Sequence, residues 1–210
     1  MNITKDLLTT TSGLYGDSFY LLDCDNFTES FKALTSEFQL YYPKSRIAYS
    51  YKTNYIPRLC KIVDSLGGYA ETVSDMEVDV ALAIGVNAGK IFFNGPYKKP
   101  KAIEDLLLKG GVVNADSAAD LKIICSIAVS NPEDILRVGI RCNFDIDDGV
   151  VSRFGFDFNN GDFDDALTEI VKYSNIELVG LHCHFASRGL QSWINASKGM
   201  LDVIEAVERR

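Results

Sequence analysis

Short apolar runs rich in β-branched and aromatic residues alternate along this chain with longer stretches whose apolar positions recur every three or four residues. That is the pattern of strands and helices taken in turn. The strand-like runs are RIAYSYK (46–52), YAETV (69–73), KIFFNG (90–95), VVNAD (112–116), ILRVGI (135–140) and ELVGLHCHF (177–185). An earlier run, FYLLD at 19–23, leads into a helix over 25–40. Further helices are predicted to about residue 66, from SDME to Gly85, near 99–109, from SAAD at 117, near 162–173, and from 190 onward. Gly67, Gly68, Gly85, Gly110 and Gly111 fall where these helices should stop. Ser74 followed by Glu77 has the spacing of a capping box. Residues 141–161 form a long polar excursion.

Strand–helix units repeating at roughly 20 to 25 residues imply parallel strands with right-handed crossovers. Six such strands follow the lead-in run. The class is α/β, and two architectures fit: a doubly wound open sheet, or a (β/α)8 TIM-type barrel with about six of its eight units. No G-x-G-x-x-G follows the first strand, which disfavours dinucleotide binding. In a parallel barrel the carboxyl ends of the strands share one mouth. The polar residues there are Lys52, Glu71, Asn94 and Asp116, Arg137 and Arg141 around the fifth strand, then His182 and His184.

Composition narrows the function classes. The 210 residues are 47% hydrophobic, enough for one large domain or most of one. The net charge is −8 and no run of Lys or Arg exceeds two, which argues against a nucleic-acid or membrane-surface partner. No apolar stretch approaches the roughly 18 residues that span a bilayer, and the N-terminus lacks a secretory-signal layout. Five cysteines without a C-x-x-C pair read as reduced, mostly structural thiols in a cytoplasmic protein.

Each candidate residue has a plain alternative. A lysine ending a buried strand either snorkels to water or is held for chemistry. Glu71 can be a surface acid and Asp116 a helix cap. His182 and His184 lie on one strand face. They suit a metal site, a structural pair, or a histidine facing an aromatic cofactor. They are the only histidines, so no metal is expected. Arg137, flanked by Leu136 and Val138, requires a partner. A lysine, an acid, an arginine and two histidines converging on one mouth favour a functional site.

The blocks also resemble a known family. YSYKTN is similar to the lysine motif of pyridoxal-phosphate-dependent decarboxylases with an alanine-racemase-like barrel, the diaminopimelate, ornithine and arginine decarboxylase group (fold type III). GGYAETVSDMEVDVALAIGV resembles that family's second-strand block and IFFNGPYKKP its third. ILRVGIRCN resembles its arginine strand, SRFGF its K/R-F-G signature, and GLHCHFAS its histidine strand. Six blocks in order span about residues 19 to 190.

The resemblance implies the following expectations. The cofactor is pyridoxal 5′-phosphate, held by Lys52 as an aldimine, a task suited to an amine whose pKa falls on desolvation. Glu71 sits near that linkage, Glu77 supports the site, Arg137 pairs with acids beneath the cofactor, His184 stacks on its ring and Ser187 reaches its phosphate. Lys52 and His184 are the catalytic pair, and His182 lies behind them. The reaction is decarboxylation of an amino acid or amino-acid conjugate. A racemase, a non-catalytic cofactor-binding barrel and a metal-dependent hydrolase using His182 and His184 are the alternatives. Ala186 departs from the family's usual glycine. Residues 1–24 would supply a lead-in strand that normally joins a C-terminal β-domain, and 25–210 a partial barrel. The family's glycine-rich phosphate loop, its E-P-G-R segment and that β-domain would lie beyond the sixth strand. The chain is therefore expected to be the N-terminal part of a homodimeric enzyme, inactive and weakly cofactor-binding on its own.

Overall fold

The computed structural model describes residues 3–150 and 152–209. Two helices come first, α1 (Lys5–Tyr15) and α2 (Cys24–Tyr41). Strands and helices then alternate: β1 (Ala48–Ser50), α3 (Pro57–Ser65), β2 (Tyr69–Thr72), α4 (Asp75–Ala83), β3 (Ile91–Phe93), α5 (Pro100–Leu108), β4 (Val112–Ala115) and α6 (Ala118–Ser130). After them come β5 (Leu136–Asn143), the two-residue β6 (Phe156–Asp157), α7 (Asp162–Ile170), β7 (Ile176–His182) and α8 (Leu190–Glu208). The local signals act as expected at several boundaries. Ser74 and Ser117 accept from Glu77 N and Asp120 N as N-caps, and Pro57 and Pro100 open their helices.

Every described ladder is parallel. β1 to β5 lie side by side in chain order, and β7 pairs along β5 from Leu136 to Arg141. β6 pairs only with Cys142 and Asn143 at the carboxyl end of β5. Because the order never reverses, there is no switch point of the doubly wound kind. The arrangement is an arc of six (β/α) units of a barrel. Its helix-facing side is the core. Ala70, Thr72, Ile91, Phe93, Val113, Ala115, Val138 and Ile140 alternate along the strands and are buried against Val78, Ala81, Ile103, Leu106 and Ile124 of the helices. Each large apolar side chain buried this way contributes about 1.5–3 kcal/mol. The other side of the sheet is only half-covered. Tyr69 and Phe92 meet there at a tilt of 57°, with ring centres 5.6 Å apart.

The run 19–23, expected to pair only with a C-terminal β-domain, forms no ladder among the described residues, and Asp23 caps α2 by accepting from Asn26 N. Three other features differ from expectation. Helix α1, started by Thr4, arises in the polar N-terminal stretch and buries none of its residues. β1 stops at Ser50, because Thr53 turns back to donate both its N–H and its hydroxyl to Ser50 O. Finally, β5 runs on to Asn143, and the polar excursion contains β6.

Candidate functional site at the carboxyl ends of the strands

The direction of Lys52 follows from its neighbours. Tyr49 packs edge-on against Phe27 of α2, with ring centres 5.6 Å apart. Tyr51, 1% exposed, lies on the same helix-facing side, where burial and the nearby Cys60 thiol push its phenol far up. Alternation then sends Ser50 to the inner side, and Lys52 follows in the turn beyond it. Lys52 is exposed in the turn after β1. Its charge reaches His184, whose imidazole is held below its ordinary value by partial burial first, then by Lys52 and Arg141. Lys52, in the turn after the first strand, and His184, just beyond the last, both lie at the carboxyl ends of the strands.

Across the inner face runs a hydrogen-bonded polar ladder. Glu71 Oε1 accepts from Asn94 Nδ2 at 2.9 Å, and Asn94 Oδ1 accepts from Asn114 Nδ2 at 2.5 Å. Asn114 Oδ1 lies where a Cβ would stand on Gly139, so the ladder needs a glycine at that point of β5. Glu71 is thus oriented by β3 and β4 and remains half-buried at the mouth.

One step further along the strands lies a buried ion pair. Arg141 Nη1 donates to Asp116 Oδ1, and Arg141 Nη2 donates to the carbonyl of His184 at 3.1 Å. The guanidinium lies over the Phe154 ring, 5.1 Å from its centre, and Arg153 lies 5.0 Å from the same ring. Gly155 has φ +80° and donates its N–H to Asp116 O at 3.1 Å. A Cβ there would stand 2.8 Å from Arg141 O. The R-F-G run is explained by this crossing: Phe154 covers the guanidinium, and only glycine passes the end of β5 so closely.

Arg137 is not brought to the mouth. It is the second residue of β5, level with Val112 and Glu177 at the amino ends of the strands, and it donates to Gly110 O at 3.3 Å. Because β5 continues four residues beyond it on the same face, Arg141 stands where Arg137 was expected. Ser187, half-buried, donates to the Asp148 carboxylate and is the first cause holding that group below the usual carboxylate range. Glu77, 5% exposed, accepts from Val73 N at 2.8 Å and braces the turn between β2 and α4. His182 Nδ1 is buried without a hydrogen-bond partner among the described residues. Burial, followed by the charge of Arg141, pushes its imidazole down to about 4. Ser50 Oγ, beside the mouth, is likewise buried and unpartnered.

Residues 25–209 match the family model described as "Pyridoxal-dependent decarboxylase, pyridoxal binding domain". The chain belongs to this family of pyridoxal-dependent decarboxylases. It is 28% identical over 184 residues to the diaminopimelate decarboxylase of Aquifex aeolicus, a match covering 83% of this chain and 42% of that protein. It is 34% identical over 157 residues to a probable chloroplastic diaminopimelate decarboxylase of Oryza sativa, covering 69% and 31%. The crystal structure of M. jannaschii diaminopimelate decarboxylase in complex with L-lysine has the same fold. Its TM-score is 0.86 at 22% identity, over 95% of this chain and 50% of that one. The chain spans about half or less of the length of each of these relatives.

The mouth fits the cofactor of the pyridoxal-dependent decarboxylases on chemical grounds. It offers an amine at Lys52, an imidazole at His184, and two buried polar atoms, Ser50 Oγ and His182 Nδ1, that lack partners among the described residues. A Cβ on Gly180 would meet nothing within 4 Å, so the inner wall beside His182 is open. Four residues of this site are not evident from sequence reasoning in those roles. Asn94, Asp116 and Arg141 stand out only as strand-end polar residues. Asn114 is visible only as a polar residue inside an apolar strand.

Proposed function

We propose that the protein carrying this chain decarboxylates a diamino acid with pyridoxal phosphate held at Lys52, and that residues 25–209 are its cofactor-binding barrel. The observation that carries this reading is that Lys52 and His184 both lie at the carboxyl ends of the strands in a chain of this family. A diaminopimelate-like substrate is favoured by the names of the relatives. Pyridoxal phosphate, when bound, supplies an electron sink for the bond broken at the substrate's α-carbon. Lys52 Nζ is the amine that holds it and the group that carries a proton at the mouth. His184, whose ring is kept neutral by its surroundings, offers a flat uncharged face to an aromatic ring. Its backbone is fixed by Arg141, which takes the part expected of Arg137. Glu71, oriented by Asn94, presents its carboxyl group beside Ser50 at the mouth. Ser187 offers a hydroxyl to the phosphate. The same reading includes a homodimer in the cytoplasm, supported by family membership and by five free cysteines.

The test is to load the protein carrying this chain with pyridoxal phosphate, reduce with borohydride, map the pyridoxyl label, and measure CO₂ release from meso-diaminopimelate, lysine, ornithine and arginine. The expected label is on Lys52, and Lys52→Ala abolishes both label and turnover. A label on another lysine, or turnover that survives Lys52→Ala, overturns the assignment.

A further inference from the structure

Behind the mouth stands a buried cation that the proposed function does not use. The Lys98 side chain, in the loop between β3 and α5, has no solvent exposure. Its Nζ donates to Asp120 Oδ2 at 2.6 Å and to Gly95 O at 2.7 Å, and it lies 5.8 Å from the centre of the Phe93 ring. An ammonium so far from water is stable only when paired and hydrogen-bonded.

Asp120 connects this lysine to the site. It is the third residue of α6, its N–H donating to the N-cap Ser117 at 3.4 Å, and its Oδ2 accepts from Asp116 N at 3.0 Å. Asp116 in turn takes Arg141, and Arg141 holds the His184 carbonyl. An unbroken path of bonds therefore runs from Lys98 to His184 through Asp120, Asp116 and Arg141, each no more than 6% exposed.

Helix α4 provides an internal comparison. Its acid, Glu77, sits three residues after the N-cap Ser74 and accepts from Val73 N at 2.8 Å, the equivalent bond. Among the described residues Glu77 has no lysine or arginine partner. Capping alone thus does not require Lys98. What distinguishes α6 is that its acid adjoins Asp116, the carboxylate that holds Arg141.

We propose that Lys98 is a positioning residue for His184: by neutralising Asp120 it leaves Arg141 to Asp116 alone, and so fixes the guanidinium that anchors the His184 carbonyl. Without it, Asp120 becomes an unneutralised carboxylate beside the Arg141-paired Asp116, and Arg141 is drawn toward two acids and away from His184. The inference draws its meaning from the proposed function, but its first readout does not depend on the cofactor.

That readout is the histidine NMR spectrum. With two histidines in the chain, a single substitution, His182→Gln, assigns both rings. The second readout is the dissociation constant for pyridoxal phosphate, followed by lysine-linked absorbance. Lys98→Met should displace the His184 ring and backbone signals and weaken cofactor binding at least about tenfold. Lys98→Arg, which keeps the charge, and the double variant Lys98→Met/Asp120→Asn, which removes cation and anion together, should both return to within about threefold of the parent. If Lys98→Met does not fold, Lys98→Gln against Lys98→Gln/Asp120→Asn carries the same comparison, since Lys98→Gln also leaves Asp120 without its cation. His184 signals unmoved in folded Lys98→Met, or a double variant no better than the single variant it is compared with, overturn the proposal. A parent protein that binds no cofactor sinks the proposed function instead, and the His184 signals still decide the role of Lys98.

Discussion

Replacing Arg141 by methionine is the sharpest test of how the mouth is held. Arg141 is 6% exposed, and Asp116, its partner, is 5% exposed. The substitution keeps most of the side-chain volume over Phe154 but leaves a carboxylate buried without its cation and a carbonyl, His184 O, without its donor. Breaking a buried pair from one side costs about 3–5 kcal/mol. For a domain of this size each kcal/mol moves the melting temperature by about 2–4 °C. Arg141→Met should therefore melt about 6–20 °C below the parent. Arg137→Met is the matched control, because it removes the same kind of side chain from the same face of the same strand. Arg137 is half-buried and makes one backbone bond at 3.3 Å, so its loss should cost only about 0.5–1.5 kcal/mol.

Thermal and urea unfolding, followed together by circular dichroism and Trp193 fluorescence, measure both variants. A third variant, Arg141→Met/Asp116→Leu, removes both charges. Apolar replacement of a whole buried pair is commonly neutral or stabilising, so this double variant should be less destabilised than Arg141→Met alone. Equal losses in Arg137→Met and Arg141→Met would refute the reasoning. So would a double variant at least as unstable as Arg141→Met alone.

His182 supplies a pH dependence. Its folded value of about 4 lies below the 6.5 of the unfolded chain, so the unfolded state takes up a proton that the folded state refuses. The associated stability is complete above pH 6.5 and is lost as pH falls toward 4. From pH 7.5 to 5 the loss is about 2 kcal/mol, and urea unfolding of His182→Gln should fall less steeply by that amount; parallel slopes would refute it. Gly139→Ala should cost about 1–3 kcal/mol from overpacking plus about 1 kcal/mol from the broken Asn114–Asn94 bond, because the new Cβ overlaps Asn114 Oδ1 and stands 3.2 Å from Gly180 O. Gly180→Ala, with nothing within 4 Å of its Cβ, should stay within about 0.5 kcal/mol of the parent, and equal melting temperatures for the two alanine variants would sink the ladder argument.

The alternation of strands and helices was legible because each is a local period, and caps such as Ser74 and Ser117 and the stop at Gly67 (φ +80°) are local chemistry. What stayed hidden depends on partners. Arg137 and Arg141 have similar apolar flanks and share a face. Only the register of β5 against β4, Ala115 opposite Ile140, shows which of them reaches the mouth. Lys98 and Lys99 are adjacent in the chain, yet one has no exposed side-chain surface and the other is 66% exposed beside Asp75. Nothing in a KK pair separates the buried member, because burial is decided by where α6 places Asp120.

Lys52 and His184 reach the mouth from opposite edges of the arc, β1 and β7, and no described hydrogen bond joins them. Their separation is therefore set by the curl accumulated over the intervening ladders, from β1 to β5 and on to β7. Curl is sensitive to side-chain size on the inner face, where large residues splay neighbouring strands. On that face the residues level with the middle of β5 are small or polar: Asn114, Gly139 and Gly180 lie side by side in register. The glycines leave room for Asn114 to lie flat and bond Asn94, so the same interaction that orients Glu71 also lets the sheet close. A larger residue at Gly139 would open the arc and move Lys52 away from His184, although it touches neither. The geometry of the site is thus a property of the whole curved sheet, with Gly139 at the point where β5 has least room to give.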